Sequence, residues 1–224
     1  MENTEKKMST PTAIIVAGVL IAGAIIATQA FKNKTPVEPD TTVQVPPVTE
    51  SDHVIGNMDA NIAIIEYSDT DCPYCKQFHE TLKTTLQQNE DVMWIYRHLP
   101  LTTLHPEADT EAHASECVGE LGGNSAFWIY LDSLFTLELS QNPESYGVLS
   151  DEAVRLGIDR DAFDACMASN RHAENIAQSA AEGRSIGGKG TPFTVFVNRS
   201  GDQIPVLGYD TPENVQAIIN SLSK

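Results

Sequence analysis

Apolar residues change their spacing several times along this chain, and each change marks an element. Met8 to Phe31 carries no charge and is almost wholly apolar from Ala13 to Ala27. That length is in the range of about 20 residues that a membrane-spanning helix needs. Lys6 and Lys7 precede the run and Lys32 and Lys34 follow it, so flanking charge sets no orientation. The run is long for a signal-peptide centre. It predicts an uncleaved signal-anchor over 12–30 with 1–11 on the cytoplasmic side, cleavage after Thr28-Gln29-Ala30 being the alternative. Pro36, Pro39, Pro46 and Pro47 then predict an extended spacer over 31–52.

From His53 to Lys224 the spacing is that of a folded domain. Residues 61–67 form an apolar run, expected to be a buried strand. Residues 76–88 place Phe78, Leu82 and Leu86 on one helical face. Residues 92–101, with Trp94, Ile95 and Tyr96, read as a second strand. Strand, helix, strand implies a parallel pair with a right-handed crossover. About 106–185 is helical by pattern. One helix spans 107–121, stopped by Gly122-Gly123. A second, capped by Asn124 or Ser125, carries Phe127 and Trp128. Two more start at Ser150 and Asp159, and a fifth covers 171–184. Phe193 to Asn198 and Gln203 to Leu207 then read as a hairpin, and Thr211 caps a last helix with Pro212 in its first turn. The order is β-α-β, a helical block, β-β-α, an α/β fold.

With 41% hydrophobic residues the 224-residue chain can bury a core. Its net charge of −17 excludes the basic footprint of nucleic-acid binding and disfavours adhesion to anionic lipid. Four cysteines are too few for a disulfide scaffold, and one pair is close: Cys72-Pro73-Tyr74-Cys75. A structural zinc site wants four N or S ligands, usually as two close pairs. With one close pair, between a strand and a helix, the spacing points to redox chemistry and to neither a metal nor a bound cofactor. Cys72 falls where a helix begins, so free N–H groups and the helix dipole stabilise its thiolate, the attacking species. Cys75, one turn on, is expected to be more buried and to resolve mixed disulfides. Asp69, Asp71 and Glu80 oppose the thiolate by like-charge repulsion. The histidines are expected to be structural and the two tryptophans to lie in the core.

The chain resembles the DsbA-like thiol–disulfide oxidoreductases, most closely their membrane-anchored branch. The matching residues are Glu66-Tyr67-Ser68-Asp69 leading into Cys72-Pro73-Tyr74-Cys75, then Tyr96-Arg97-His98-Leu99-Pro100-Leu101, Glu116-Cys117 and Phe127-Trp128 in the helical block, and the late Gly190-Thr191-Pro192. The resemblance implies a thioredoxin fold over 53–224, a central mixed sheet flanked by helices, with the helical block inserted. It implies that Pro192 is a cis-proline against the redox pair. It implies that Thr191, Pro73 and Tyr74 meet the substrate and tune the redox poise, and that Glu66 is a buried acid exchanging protons with Cys75. It implies cysteine-containing translocated proteins as substrates and a membrane partner of the DsbB kind for recycling. Direction is open: an oxidase is expected, a reductase or isomerase is the alternative, and a redox-inactive chaperone module is a further one. Cys117 and Cys166 are either two buried thiols or a structural disulfide. An oxidising compartment and the resemblance both favour the bridge. The catalytic domain is accordingly expected on the extracytoplasmic face of the cell membrane.

Overall fold

The computed structural model describes residues 44–137 and 145–224. The signal-anchor expected over 12–30, its flanking segments and most of the spacer lie outside these residues. Among the described residues, no helix is long and apolar enough to cross a membrane.

Five strands form one sheet: β1 (His53–Gly56), β2 (Ile62–Ser68), β3 (Val92–His98), β4 (Phe193–Asn198) and β5 (Gln203–Leu207), in the order β1-β3-β2-β4-β5. β2 and β3 run parallel, joined by α1 (Pro73–Gln88), and the other pairings are antiparallel. Between β3 and β4 lie α2 (Ala108–Gly122), α3 (Asn124–Leu134), α4 (Ser145–Arg155), α5 (Arg160–Ser169) and α6 (Ala173–Ser185), and α7 (Pro212–Leu222) ends the domain.

Strand alternation divides the core. Ile62, Ile64, Trp94, Tyr96 and Phe196 face α1 and α7, which contribute Phe78, Leu82, Val215 and Ile219. Ala63, Ile65, Tyr67, Ile95 and Val195 form the opposite face, against Ala180 of α6. α6 approaches β2 closely there, since a Cβ on Gly183 would come within 2.7 Å of the Tyr67 ring. The inserted helices have their own core, with Cys117, Val118, Tyr130, Leu149, Phe163 and Cys166.

Several boundaries differ from the sequence expectation for physical reasons. Residues 44–52, expected as the end of a spacer, are docked. Arg97 donates to the carbonyls of Pro46 and Pro47 at 3.3 and 3.2 Å, and Val45 and Val48 pack on the core. The short strand β1 that follows was not expected, because a four-residue edge strand carries little alternation. α3 begins at Asn124, whose side chain reaches the Val54 carbonyl at 2.7 Å. Gly123, at φ +81°, takes the cap position. α4 starts at Ser145, before Ser150, and the Ser150 hydroxyl is spent on Arg160 and Asp164. Asp159 and Thr211 cap their helices, accepting from the N–H groups of Ala162 and Asn214.

Candidate active site

β2 ends at Ser68, and the four residues 69–72 carry the chain to the start of α1. Cys72 occupies the cap position (φ −78°, ψ 121°) with Pro73 just inside, where its missing N–H costs no helical bond. Pro73 and Tyr74 are exposed, Tyr74 by 59%. Cys72 is 5% exposed and Cys75 is fully buried. Both are in the thiol form. From the opposite side comes the loop before β4. Its Thr191–Pro192 peptide bond is cis, and the Thr191 carbonyl oxygen lies 3.5 Å from Cys72 Sγ.

The electrostatics separate the two sulfurs. A hydrogen bond from Cys75 holds the Cys72 thiol down to about 6, against burial, with help from the Thr191 side chain and the N–H groups of Cys75 and Tyr74. The last two are the free donors of a helix start. Burial, followed by the interactions with Cys72, pushes Cys75 well above the ordinary thiol range. At neutral pH the Cys72 end of the pair is therefore favoured as an anion and the Cys75 end keeps its proton.

Below Cys75, Glu66 is completely buried on the α1 face of the sheet. Its Oε1 accepts from the Ser68 hydroxyl at 2.8 Å and its Oε2 from the Trp94 indole at 3.0 Å. Burial raises its carboxyl to about 7, the two hydrogen bonds opposing the rise and the charge of Cys72 adding to it. Ser68 also lowers the Cys75 thiol by hydrogen bonding, so its hydroxyl touches both Glu66 and the resolving sulfur. Ser68 was quoted in the sequence motif but given no role there. Its position depends on the register of β2, which a motif alone does not reveal.

Asp69, read from sequence as a repulsive charge, also has partners in the fold. Its Oδ2 accepts from the Leu101 N–H at 2.8 Å and pairs with His105 Nδ1 at 2.9 Å, and its Oδ1 accepts from the Asp71 N–H at 2.9 Å. Burial pulls His105 down, but the Asp69 carboxylate outweighs it and the ring's pKa rises. Exposed apolar side chains flank the site. Tyr74 adjoins Cys72, Leu207 pairs in register with Phe193 next to the cis-proline, and Tyr209 stands edge-on to Phe78.

In the insert, Cys117 and Cys166 form a disulfide with Cα atoms 5.8 Å apart. Among the described residues, His113 and His172 also approach this bridge. The sulfurs are committed to each other, which removes the thiolates a metal would need. A separate cavity of about 470 Å³ beside Arg97, His98 and Glu116 has none of the redox residues in its wall.

A thioredoxin family model matches residues 48–221. The chain belongs to the thioredoxin family. Its fold is similar to that of DsbA2 from Pseudomonas aeruginosa, with a TM-score of 0.65 and 26% identity over 77% of this chain and 95% of that one. It is also similar to that of oxidised BdbD from Bacillus subtilis, with a TM-score of 0.68 and 21% identity over 81% of this chain and 98% of that one. The chain is thus DsbA-like, with a thioredoxin fold of mixed sheet and flanking helices. By sequence it is 38% identical over 158 residues to the Na(+)/H(+) antiporter NhaA 3 of Salinispora tropica, covering 70% of this chain and 23% of that protein. The antiporter NhaA of Herminiimonas arsenicoxydans is 32% identical over 174 residues, 77% of this chain and 26% of that protein. The chain spans about a quarter of the length of these curated relatives.

Proposed function

We propose that this protein exchanges thiols and disulfides with cysteine-containing polypeptides, and that it works chiefly as an oxidase outside the cytoplasm. The observation carrying thiol–disulfide exchange is the placement of the two sulfurs, Cys72 at the start of α1 beside the cis Thr191–Pro192 peptide and Cys75 buried one turn on, with Cys72 tuned down and Cys75 up. A thiolate of the substrate attacks Sγ of oxidised Cys72. The Cys72–Cys75 bond breaks and a mixed disulfide forms, with Cys75 leaving as a thiolate. Glu66, reached through Ser68, supplies the proton that Cys75 takes up. A second substrate thiol then attacks the mixed disulfide. It forms the substrate's own disulfide and releases Cys72 as a stabilised thiolate. The exposed Tyr74, Leu207 and Tyr209 form the apolar ground on which an unfolded segment lies, with the Thr191 backbone available to pair with it.

A membrane disulfide donor of the DsbB kind would re-oxidise the pair, and the apolar run over 12–30 would keep enzyme and donor in one membrane. Secretion after cleavage near Ala30 is the alternative. No bound cofactor enters the cycle, and no antiport activity is proposed. The antiporter names belong to proteins of which this chain matches about a quarter.

A reductase or isomerase direction has one observation in its favour. A Cys72 thiol near 6 lies closer to thioredoxin's value of about 7 than to DsbA's of about 3.5. Equilibration against glutathione separates the two directions. A potential above about −180 mV supports the oxidase, and one near −270 mV rejects it. Loss of exchange in Cys72→Ser, with binding of reduced unfolded protein retained, distinguishes both from a redox-inactive chaperone.

A further inference from the structure

α2 brings a second buried acid to the redox centre. Glu111, in the first turn of that helix, is 1% exposed. Its Oε2 accepts from the Thr70 hydroxyl, and its Oε1 is buried with no donor from the protein. Its hydrogen-bonding neighbour is the carboxyl of Asp71, the residue immediately before Cys72. Two carboxylates brought together out of water do not both stay charged, and one proton held between them relieves the repulsion. Such a proton, placed on Glu111, also turns its otherwise unmatched oxygen into a donor. The stretch from Asp69 to Asp71 is then held at each residue: Asp69 by Leu101 and His105, Thr70 by Glu111, and Asp71 by Asp69 and the shared proton.

Resting on the exchange reading above, we propose that Glu111 is a positioning residue for Cys72. Protonated, it fastens the segment preceding Cys72 to the helical insert. On losing that proton it adds a charge that disfavours the Cys72 thiolate and hence the dithiol form. Burial is the main reason that Glu111 is raised to about 8; the Thr70 bond opposes the rise and the Asp71 and Asp69 charges add to it. The titratable groups that interact with it are Asp71 and Asp69 in the loop, Asp71 being the residue directly before Cys72, and Tyr130 on α3. His105 responds to Asp69 and to Cys72, and it is present in the wild type and in both variants of the test. By linkage, the dithiol form, which carries the thiolate, holds the Glu111 proton more tightly than the disulfide form does.

The test is the equilibrium constant for reduction of the Cys72–Cys75 pair by glutathione, measured on the full chain from about pH 6 to pH 9.5. Wild type is compared with Glu111→Gln, which keeps the shape and a donor but cannot ionise, and with Asp71→Asn, which removes the neighbouring carboxylate and leaves Asp69. The ratio of wild type to Glu111→Gln should be constant up to about pH 7. It should then fall roughly three- to tenfold as wild type gains a charge near the sulfur. Asp71→Asn leaves the burial of Glu111 in place and should move the same fall to lower pH, so either variant alone carries the test if the other does not fold. A ratio flat across the range, with the pair still exchanging normally, overturns the role of Glu111 and leaves the exchange reading intact. Failure of the wild-type pair to exchange at all overturns both.

Discussion

Sγ of Cys72 lies 3.5 Å from the backbone carbonyl oxygen of Thr191, a residue 119 positions further along the chain. The Thr191 hydroxyl is buried with no hydrogen-bond partner, and the Thr191 side chain is among the groups that lower the Cys72 thiol. Replacing it with valine keeps the shape and removes the donor. Thr191→Val should therefore move half-maximal alkylation of Cys72 above about pH 6, by roughly half a unit to one unit. An alkylation-rate profile against pH reads this directly. An unmoved midpoint would show that the hydroxyl does not stabilise the anion.

Glu66 makes a prediction with a definite sign. Its carboxyl is raised from 4.5 to about 7, so the fold favours its protonated form. That contribution is fully present below about pH 4.5 and is lost as pH rises through about 7, by roughly 3 kcal/mol in all. In a background with both active-site cysteines changed to serine, Glu66→Gln should abolish this neutral-range loss of stability in urea unfolding. With the cysteines present, Glu66→Leu should slow release of Cys75 by about a hundredfold, the lower end of acid–base contributions.

The Cys117–Cys166 bridge closes a loop with a sequence separation of 49 residues inside the insert's core. Loop-closure entropy assigns such a bridge about 4 kcal/mol. The double variant Cys117→Ala/Cys166→Ala should lose about 2–4 kcal/mol in chemical unfolding while keeping the wild-type potential at Cys72–Cys75. A shifted potential would mean that the two pairs communicate.

Arg97 ties three parts of the domain together. Its guanidinium meets Asp52 at 2.8 and 3.0 Å, Tyr67 Oη at 3.1 Å, and Glu182. Burial alone would raise Asp52, but the bonds and charge of Arg97 together with the hydrogen bonds from Thr49 outweigh it and hold the carboxyl below its usual range. Arg97→Met should cost about 3 kcal/mol, because it leaves partly buried acids without their cation. It should also expose residues 44–52 to proteolysis. Limited digestion followed by mass mapping checks both the docking and its cause.

The parts legible in sequence were those with local physics. The apolar run of β2, the face of α1, the caps at Asp159 and Thr211, and the β4–β5 hairpin each follow from residues within a dozen positions. The site was half legible. The spacing of Cys72 and Cys75, with a helix behind them, dictates which sulfur stands at the helix start and which lies deeper. What surrounds them was not legible. Ser68 reaches Cys75 and Glu66 because of strand register. Glu111 reaches Asp71 because α2 packs on the active-site loop. The partners of Asp69, His105 and the Leu101 N–H, were not legible because they are more than thirty residues away. Residues 44–52 looked like spacer because prolines signal extension without saying whether the extended strand is free or docked.

Redox equilibration of the wild-type chain in glutathione buffers of opposite poise, with trapping by alkylation and mass mapping, bears most directly on Cys72 and Cys75. Both sulfurs should interconvert reversibly between thiol and disulfide, with Cys72 alkylated first and its rate half-maximal near pH 6, while Cys117 and Cys166 stay bridged. Cys72 and Cys75 unchanged in oxidation state across the whole range would contradict thiol–disulfide exchange as the work of this protein.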